Sequence, residues 1–158
     1  MKKRIDDALE LLDIAKYRDR APFDLSGGQM QRMAIASIIA MNPEIIVLDE
    51  PTSQLDPQGS EEVFKAVAKL SEKGITVIMV EHKIEKIAAY SDRIMLLDGG
   101  KLVAFDTPQE IFAREDLDEH GVVAPVYTRI CKDLGLRVPG TDYYPVTLDE
   151  AHKLLACK

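Results

Sequence analysis

The residues richest in chemistry are Leu25-Ser26-Gly27-Gly28-Gln29 and the pair Asp49-Glu50, which closes the apolar run Ile45-Ile46-Val47-Leu48. A helix opening at Gly27-Gly28 would offer unpaired backbone N–H groups and the positive end of a dipole. The Ser26 hydroxyl would sit beside them, with no bulky side chain in the way. That combination binds phosphate. Asp49 and Glu50 read as the tip of a parallel strand, the edge where open α/β sheets hold ligands, and adjacent strand positions aim their carboxylates differently. Asp49 would hold Mg²⁺ through oxygen, directly or through water, and Glu50 would orient and deprotonate an attacking water. His82 follows a second apolar strand, Thr76 to Val80, and is expected at the same edge, donating to a γ-phosphate or holding the water. Asp56 reads as a helix N-cap, a role compatible with a second one at a subunit contact.

A phosphate-cradling loop of the form G-x-x-x-x-G-K-[ST] is absent from these residues. The one Gly-Lys step, Gly100-Lys101, has Met95 where the first glycine belongs and Leu102 where the hydroxyl belongs. The chain therefore reads as half of a nucleotide-hydrolysing site.

Composition narrows the class. With 158 residues, 46% of them hydrophobic, the chain can bury a core. A net charge of -7 and the lack of a Lys/Arg-rich stretch argue against a nucleic-acid surface. Cys131 and Cys157 lie apart with no metal or redox spacing, so both read as ordinary thiols, and His120 and His152 read as polar loop residues. Met1-Lys2-Lys3-Arg4 starts like a signal peptide, but Asp6, Asp7 and Glu10 interrupt the apolar region that would have to follow. The longest nearly apolar stretch, Met33 to Met41, falls far short of the roughly 20 residues that span a bilayer, so membrane association is expected to go through a partner.

The elements that must position these residues follow from periodicity and capping. Ile5, Leu9 and Leu12 set an amphipathic helix over 3–15, and Gly27 to Met41 a largely buried one stopped by Asn42-Pro43. Ile45 to Leu48 reads as a strand covered on both faces, ended by Pro51. Asp56-Pro57 starts a helix with Val63, Val67 and Leu70 on its core face. The strand Thr76–Val80, a helix over 83–90 and a strand over 94–97 complete a β-α-β-α-β alternation, predicting a three-stranded parallel sheet. Asp98-Gly99-Gly100 turns into a hairpin partner over 102–105. Thr107-Pro108-Gln109-Glu110 and Thr147-Leu148-Asp149-Glu150 are capping boxes that start helices, and Val126 to Leu134 makes another helical stripe ending at Gly135.

Taken in order, this set resembles the ATP-binding cassette (ABC) ATPase family over roughly residues 25–106. Leu25 to Gln29 matches the family's signature motif, with Gln31 and Arg32 its usual continuation. Ile45 to Glu50 looks like its Walker B strand with the catalytic glutamate, Ser53-Gln54-Leu55-Asp56 like its D-loop, and His82 like its switch histidine. Gln54 departs mildly, since a small residue is commoner there. Residues 5–24, with Tyr17, Arg20 and Pro22-Phe23, and the tail from Thr107 look most similar to the energy-coupling-factor subfamily, the cobalt-type importers of vitamins and metal ions.

The resemblance implies an α/β fold: a three-layer, P-loop NTPase-like partial parallel sheet with flanking helices, missing the P-loop strand. Residues 1–41 would be the end of the helical subdomain, 42–106 the α/β core and 107–158 a C-terminal helical extension. It also implies a part of an ATPase that couples ATP binding and hydrolysis to import of a small molecule or metal ion, with ATP and Mg²⁺ as cofactors. Asp49 would be the Mg²⁺ ligand, Glu50 and His82 the catalytic pair and Asp56 the D-loop acid. Ser26, Gly27, Gly28 and Gln29 would bind the nucleotide of a partner subunit. The partners implied are a second ATPase subunit, identical or not, and an integral membrane subunit, which puts the chain peripherally on the cytoplasmic face of the cell membrane. Without a P-loop the 158 residues are expected to be inactive alone and to self-associate through an unpaired strand edge. A non-catalytic interaction module and a non-transport ABC ATPase are the competing readings.

Overall fold

The computed structural model describes residues 1–156. The chain runs α1 (Lys2–Leu11), α2 (Gly27–Ile39), β1 (Ile45–Asp49), α3 (Pro57–Glu72), β2 (Thr76–Val80), α4 (Ile84–Tyr90), β3 (Ile94–Asp98), β4 (Lys101–Asp106), α5 (Pro108–Ala113), α6 (Val126–Asp133) and α7 (Leu148–Ala156). Short 3₁₀ turns lie at Ala15–Tyr17, Pro22–Asp24 and Leu117–His120. Cys157, read from sequence as an ordinary thiol, lies outside the described residues.

Two compact units form, Met1–Glu81 and one beginning at His82, a boundary that falls inside the expected 42–106 block. No break follows residue 41. The reason is a shared core: Ile35 and Ala36 of α2, Ile46 and Leu48 of β1, and Val63, Ala66 and Leu70 of α3 bury one another, with Ala8, Leu9 and Leu12 of α1 alongside.

In the first unit α1 stops short of the expected residue 15. Asp13 adopts a left-handed conformation (φ 56°). The Ile14 N–H then bonds the Leu9 carbonyl at 2.9 Å and the Asp13 N–H the Glu10 carbonyl at 3.1 Å, which closes the helix end. The Lys69 ammonium bonds the Asp13 carboxylate and holds its pKa below the ordinary value. Strands β1 and β2 pair in parallel, Val47 opposite Ile78 and Asp49 opposite Val80.

Two expectations about the sheet are corrected. β3 does not extend the parallel pair. Among the described residues it pairs with β4 alone, antiparallel, so the three-stranded parallel sheet is not formed. The two-residue turn Gly99-Gly100 (φ 53° and 74°) has the twist that favours a tight hairpin, and a local partner costs far less loop-closure entropy than a crossover does. Second, β1 is covered on one face. Ile46 and Leu48 are buried, yet Ile45 and Val47 are 59% and 65% exposed, and Ile78 and Val80 of β2 are 51% and 49% exposed. Helices α2 and α3 pack only on the Ile46/Leu48 side.

The second unit has its own core of Ala88, Leu96, Ile111, Phe112, Leu117 and Val146. Both predicted capping boxes are present: the Thr107 hydroxyl accepts from the Glu110 N–H at 3.4 Å, and that of Thr147 from the Glu150 N–H at 3.3 Å. The end of α6 closes as α1 does, with Leu136 N–H on the Cys131 carbonyl at 2.8 Å and Gly135 left-handed (φ 66°). The buried Thr128 hydroxyl donates to the Pro145 carbonyl at 2.6 Å, tying α6 to the segment before α7. Among the described residues no helix is long and apolar enough to cross a membrane.

Candidate nucleotide-binding site

Ser26 is the N-cap of α2. Its hydroxyl oxygen accepts from the Gln29 N–H at 3.3 Å, and the Gln29 Oε1 accepts from the Ser26 N–H at 3.1 Å. This reciprocal box satisfies two donors of the opening turn and fixes the direction of the rest. Gly27 and Gly28 occupy the first helical positions, where no preceding turn supplies a carbonyl. The Gln29 side chain is held from its other end, its Nε2 donating to the Tyr17 hydroxyl at 3.1 Å.

The glycine pair has a second reason to be glycine. A methyl placed on Gly28 would lie 3.0 Å from the Gly59 Cα, so α2 and α3 cross backbone against backbone. One placed on Gly27 would meet the Leu55 Cδ2 at 3.0 Å, the end of a side chain that can give way. Asp56 caps α3, its Oδ1 accepting from the Gly59 N–H at 2.7 Å. One turn further on, the buried Arg32 donates from Nη2 to Glu62 Oε2 at 2.7 Å and from Nη1 to the Leu12 carbonyl at 3.0 Å. The opening turn of α2 and the capped start of α3 are thus clamped at two levels.

The acidic pair sits at the carboxyl end of β1, as predicted. Asp49 is exposed and belongs to the sheet face that carries Val47 and Ile78. Glu50 continues the ladder for one bond, its N–H donating to the Val80 carbonyl at 3.0 Å, but adopts a left-handed conformation (φ 43°). A long side chain in that region costs on the order of 1–3 kcal/mol, which is characteristic of functional sites. The Ser53 hydroxyl and N–H both bond the Glu50 carbonyl, at 3.1 and 3.2 Å, and hold the turn. Behind it the fully buried Thr52 donates to Glu81, linking the turn after β1 to the residue after β2. His82, the next residue, is exposed and opens the second unit.

Carboxylate oxygens suit Mg²⁺, which usually takes one or two of them together with phosphate oxygens. Among the described residues no group of three or more His, Cys, Asp or Glu forms a closed metal cage, and Asp49 fits the open kind of site.

Sequence reasoning missed Gly59, Glu62, Thr52 and Glu81. Each acts through a tertiary contact with a residue far away in sequence, and no local spacing announces such contacts. The buried Arg32 was visible only as part of the signature continuation.

Comparison with known proteins decides the family. The sequence profile of the ABC transporter family matches residues 1–53. The energy-coupling factor transporter ATP-binding protein EcfA1 of Caldanaerobacter subterraneus is 44% identical over 144 residues, 88% of this chain and 52% of that protein. The chain belongs with the ABC transporter ATP-binding subunits. Among solved structures it resembles cbiO1 of Clostridium perfringens, described as part of the ABC transporter complex cbiONQ, with TM-score 0.68 and 32% identity over 87% of this chain and 50% of that one. It also resembles the ADP conformation of MJ1267, an ATP-binding cassette of an ABC transporter, with TM-score 0.69 and 28% identity over 75% of this chain and 48% of that one. The chain spans about half the length of the curated ABC relatives it matches.

Proposed function

We propose that this chain contributes the signature turn to one composite ATP site and the Walker B acids to another, in an ATPase that drives import through a membrane protein. The observation that carries this reading is the opening of α2: Gly27 and Gly28 amides at a helix start, oriented by the Ser26–Gln29 box and clamped onto α3. Such a turn is built to meet an anion presented from outside, here the γ-phosphate of a nucleotide held by another subunit's P-loop.

Asp49 would hold Mg²⁺ through its carboxylate, and Glu50 would take the proton from the attacking water as it adds to the γ-phosphorus, while the bond from that phosphorus to the β–γ bridging oxygen breaks and ADP leaves. His82 would donate to the same phosphate and Asp56 would face the subunit contact. The metal supplies neutralisation of phosphate charge when bound. The membrane subunit and the second ATPase give the chain a peripheral position at the cytoplasmic face. Alone the 158 residues are expected to be inactive and to self-associate over the bare row Ile45, Val47, Ile78 and Val80.

Thermal melting against Mg-ATP tests the proposal. A competent site at 100 times its dissociation constant adds about 2.7 kcal/mol. The chain alone is expected to show no shift, and its complex with an energy-coupling-factor subunit that carries an intact P-loop a clear one. A shift for the chain alone, or none for the complex, contradicts the composite site.

A further inference from the structure

The second unit contains a cavity of about 300 Å³ that the ATPase chemistry does not use. Its apolar lining comes from Phe112 and Leu117, both 4% exposed, with Val123 at the mouth. Besides Arg114, four charged residues line it: Glu115 and Asp118 on the chain following α5, and Arg129 and Lys132 one helical turn apart on α6.

The charges are not spent on each other. Among the described residues none of these four forms an ion pair, although two of each sign border one space. By contrast Arg114, also on the lining, is committed to Asp116, with Nε on Oδ1 at 2.8 Å. Opposite charges left more than 4.0 Å apart across a cavity are unused binding capacity: a ligand carrying both signs can bridge what the side chains do not. The volume is at the lower end of the range for small-molecule sites, and an apolar floor with a few convergent polar groups is their usual make-up.

We propose that this cavity binds a small zwitterion with an apolar body, in the class of the free α-amino acids. The carboxylate lies toward Arg129 and Lys132, the ammonium toward Glu115 and Asp118, and the side chain on Phe112 and Leu117. Such a site would let the C-terminal extension respond to a small molecule independently of nucleotide.

Backbone amide NMR on the 158-residue chain, titrated with L-leucine and with L-phenylalanine, tests the proposal. Saturable shifts are expected at Val123, Thr128, Arg129 and Lys132 with at least one of the two. N-acetyl-L-leucine lacks the ammonium and L-leucinamide the carboxylate, and each is expected to bind about tenfold or more weakly than L-leucine, the effect of one lost charged contact. The double variant Arg129→Glu/Lys132→Glu changes exposed residues and is expected to melt as the native chain does while losing the shifts. No saturable shift with either amino acid overturns the proposal. Binding of N-acetyl-L-leucine or L-leucinamide as tight as that of L-leucine also overturns it, reducing the cavity to a simple anion or cation pocket.

Discussion

The signature turn and the tip of β1 are built to different degrees of completion. At the turn every stabilising device is in place: the Ser26–Gln29 box, the Gly28–Gly59 backbone contact and the Arg32–Glu62 pair. At the tip, Glu50 stands in a left-handed conformation and Asp49 on a sheet face whose apolar neighbours Val47, Ile78 and Val80 are about half exposed or more. In the proposed function the turn would hold its amides still for a phosphate that another subunit presents. The tip holds a left-handed glutamate beside an exposed apolar face. One unit thus carries a preorganised set of amide donors and, at the end of β1, an acidic pair beside a half-exposed apolar row.

Four substitutions probe the turn and the tip separately. In an assembly competent for ATP hydrolysis, Glu50→Gln should lower the rate by about 10² to 10⁴ while nucleotide binding persists, the loss expected of general-base assistance. An unaffected rate would take Glu50 out of the mechanism. At the turn, Gly28→Val should destabilise the chain by about 1–3 kcal/mol in urea unfolding, because the added carbons meet the Gly59 backbone. Gly27→Ala, which meets only a side-chain tip, should cost clearly less, and equal costs would remove the packing explanation. At the strand tip, Glu50→Gly should raise stability by about 1 kcal/mol by relieving the positive φ. A fall in stability would mean that Glu50 is not strained.

The smallest effect lies in the second unit. Burial, then the charges of Glu85 and Glu150, push the Tyr127 phenol up to about 12 from 10.0. The folded state therefore keeps this proton longer than the unfolded state, so stability is unaffected below pH 10 and declines as pH rises through about 12. Urea midpoints across that window should fall for the native chain and fall less for Tyr127→Phe.

Much of this was legible in the residues. Caps and boxes at Ser26, Asp56, Thr107 and Thr147 are local, so their residue types announce them, and the glycine hairpin between β3 and β4 is equally local. The roles expected of Asp49, Glu50 and His82 were read from residue type and strand-end placement, and family resemblance named the same roles. The side of β1 left bare was not legible, because Ile45 to Leu48 is apolar throughout and carries no alternation to tell a one-sided strand from a two-sided one. Nor was the absence of β3 from the parallel pair, because the β-α-β-α-β alternation announces a shared sheet while the hairpin with β4 leaves β3 another edge that local residues do not assign. The two-level clamp of α2 on α3 depends on which residues meet across the helices, and periodicity does not specify that.

The central claim is that the α2 opening meets a phosphate held by another subunit. Amide NMR of the isotope-labelled chain mixed with an unlabelled P-loop-bearing ATPase subunit and Mg-ATP tests it most directly. Shifts are expected at Gly27, Gly28 and Gln29 when subunit and nucleotide are both present, and none with either alone. Shifts at these amides with Mg-ATP alone, or none with the full mixture, would contradict it.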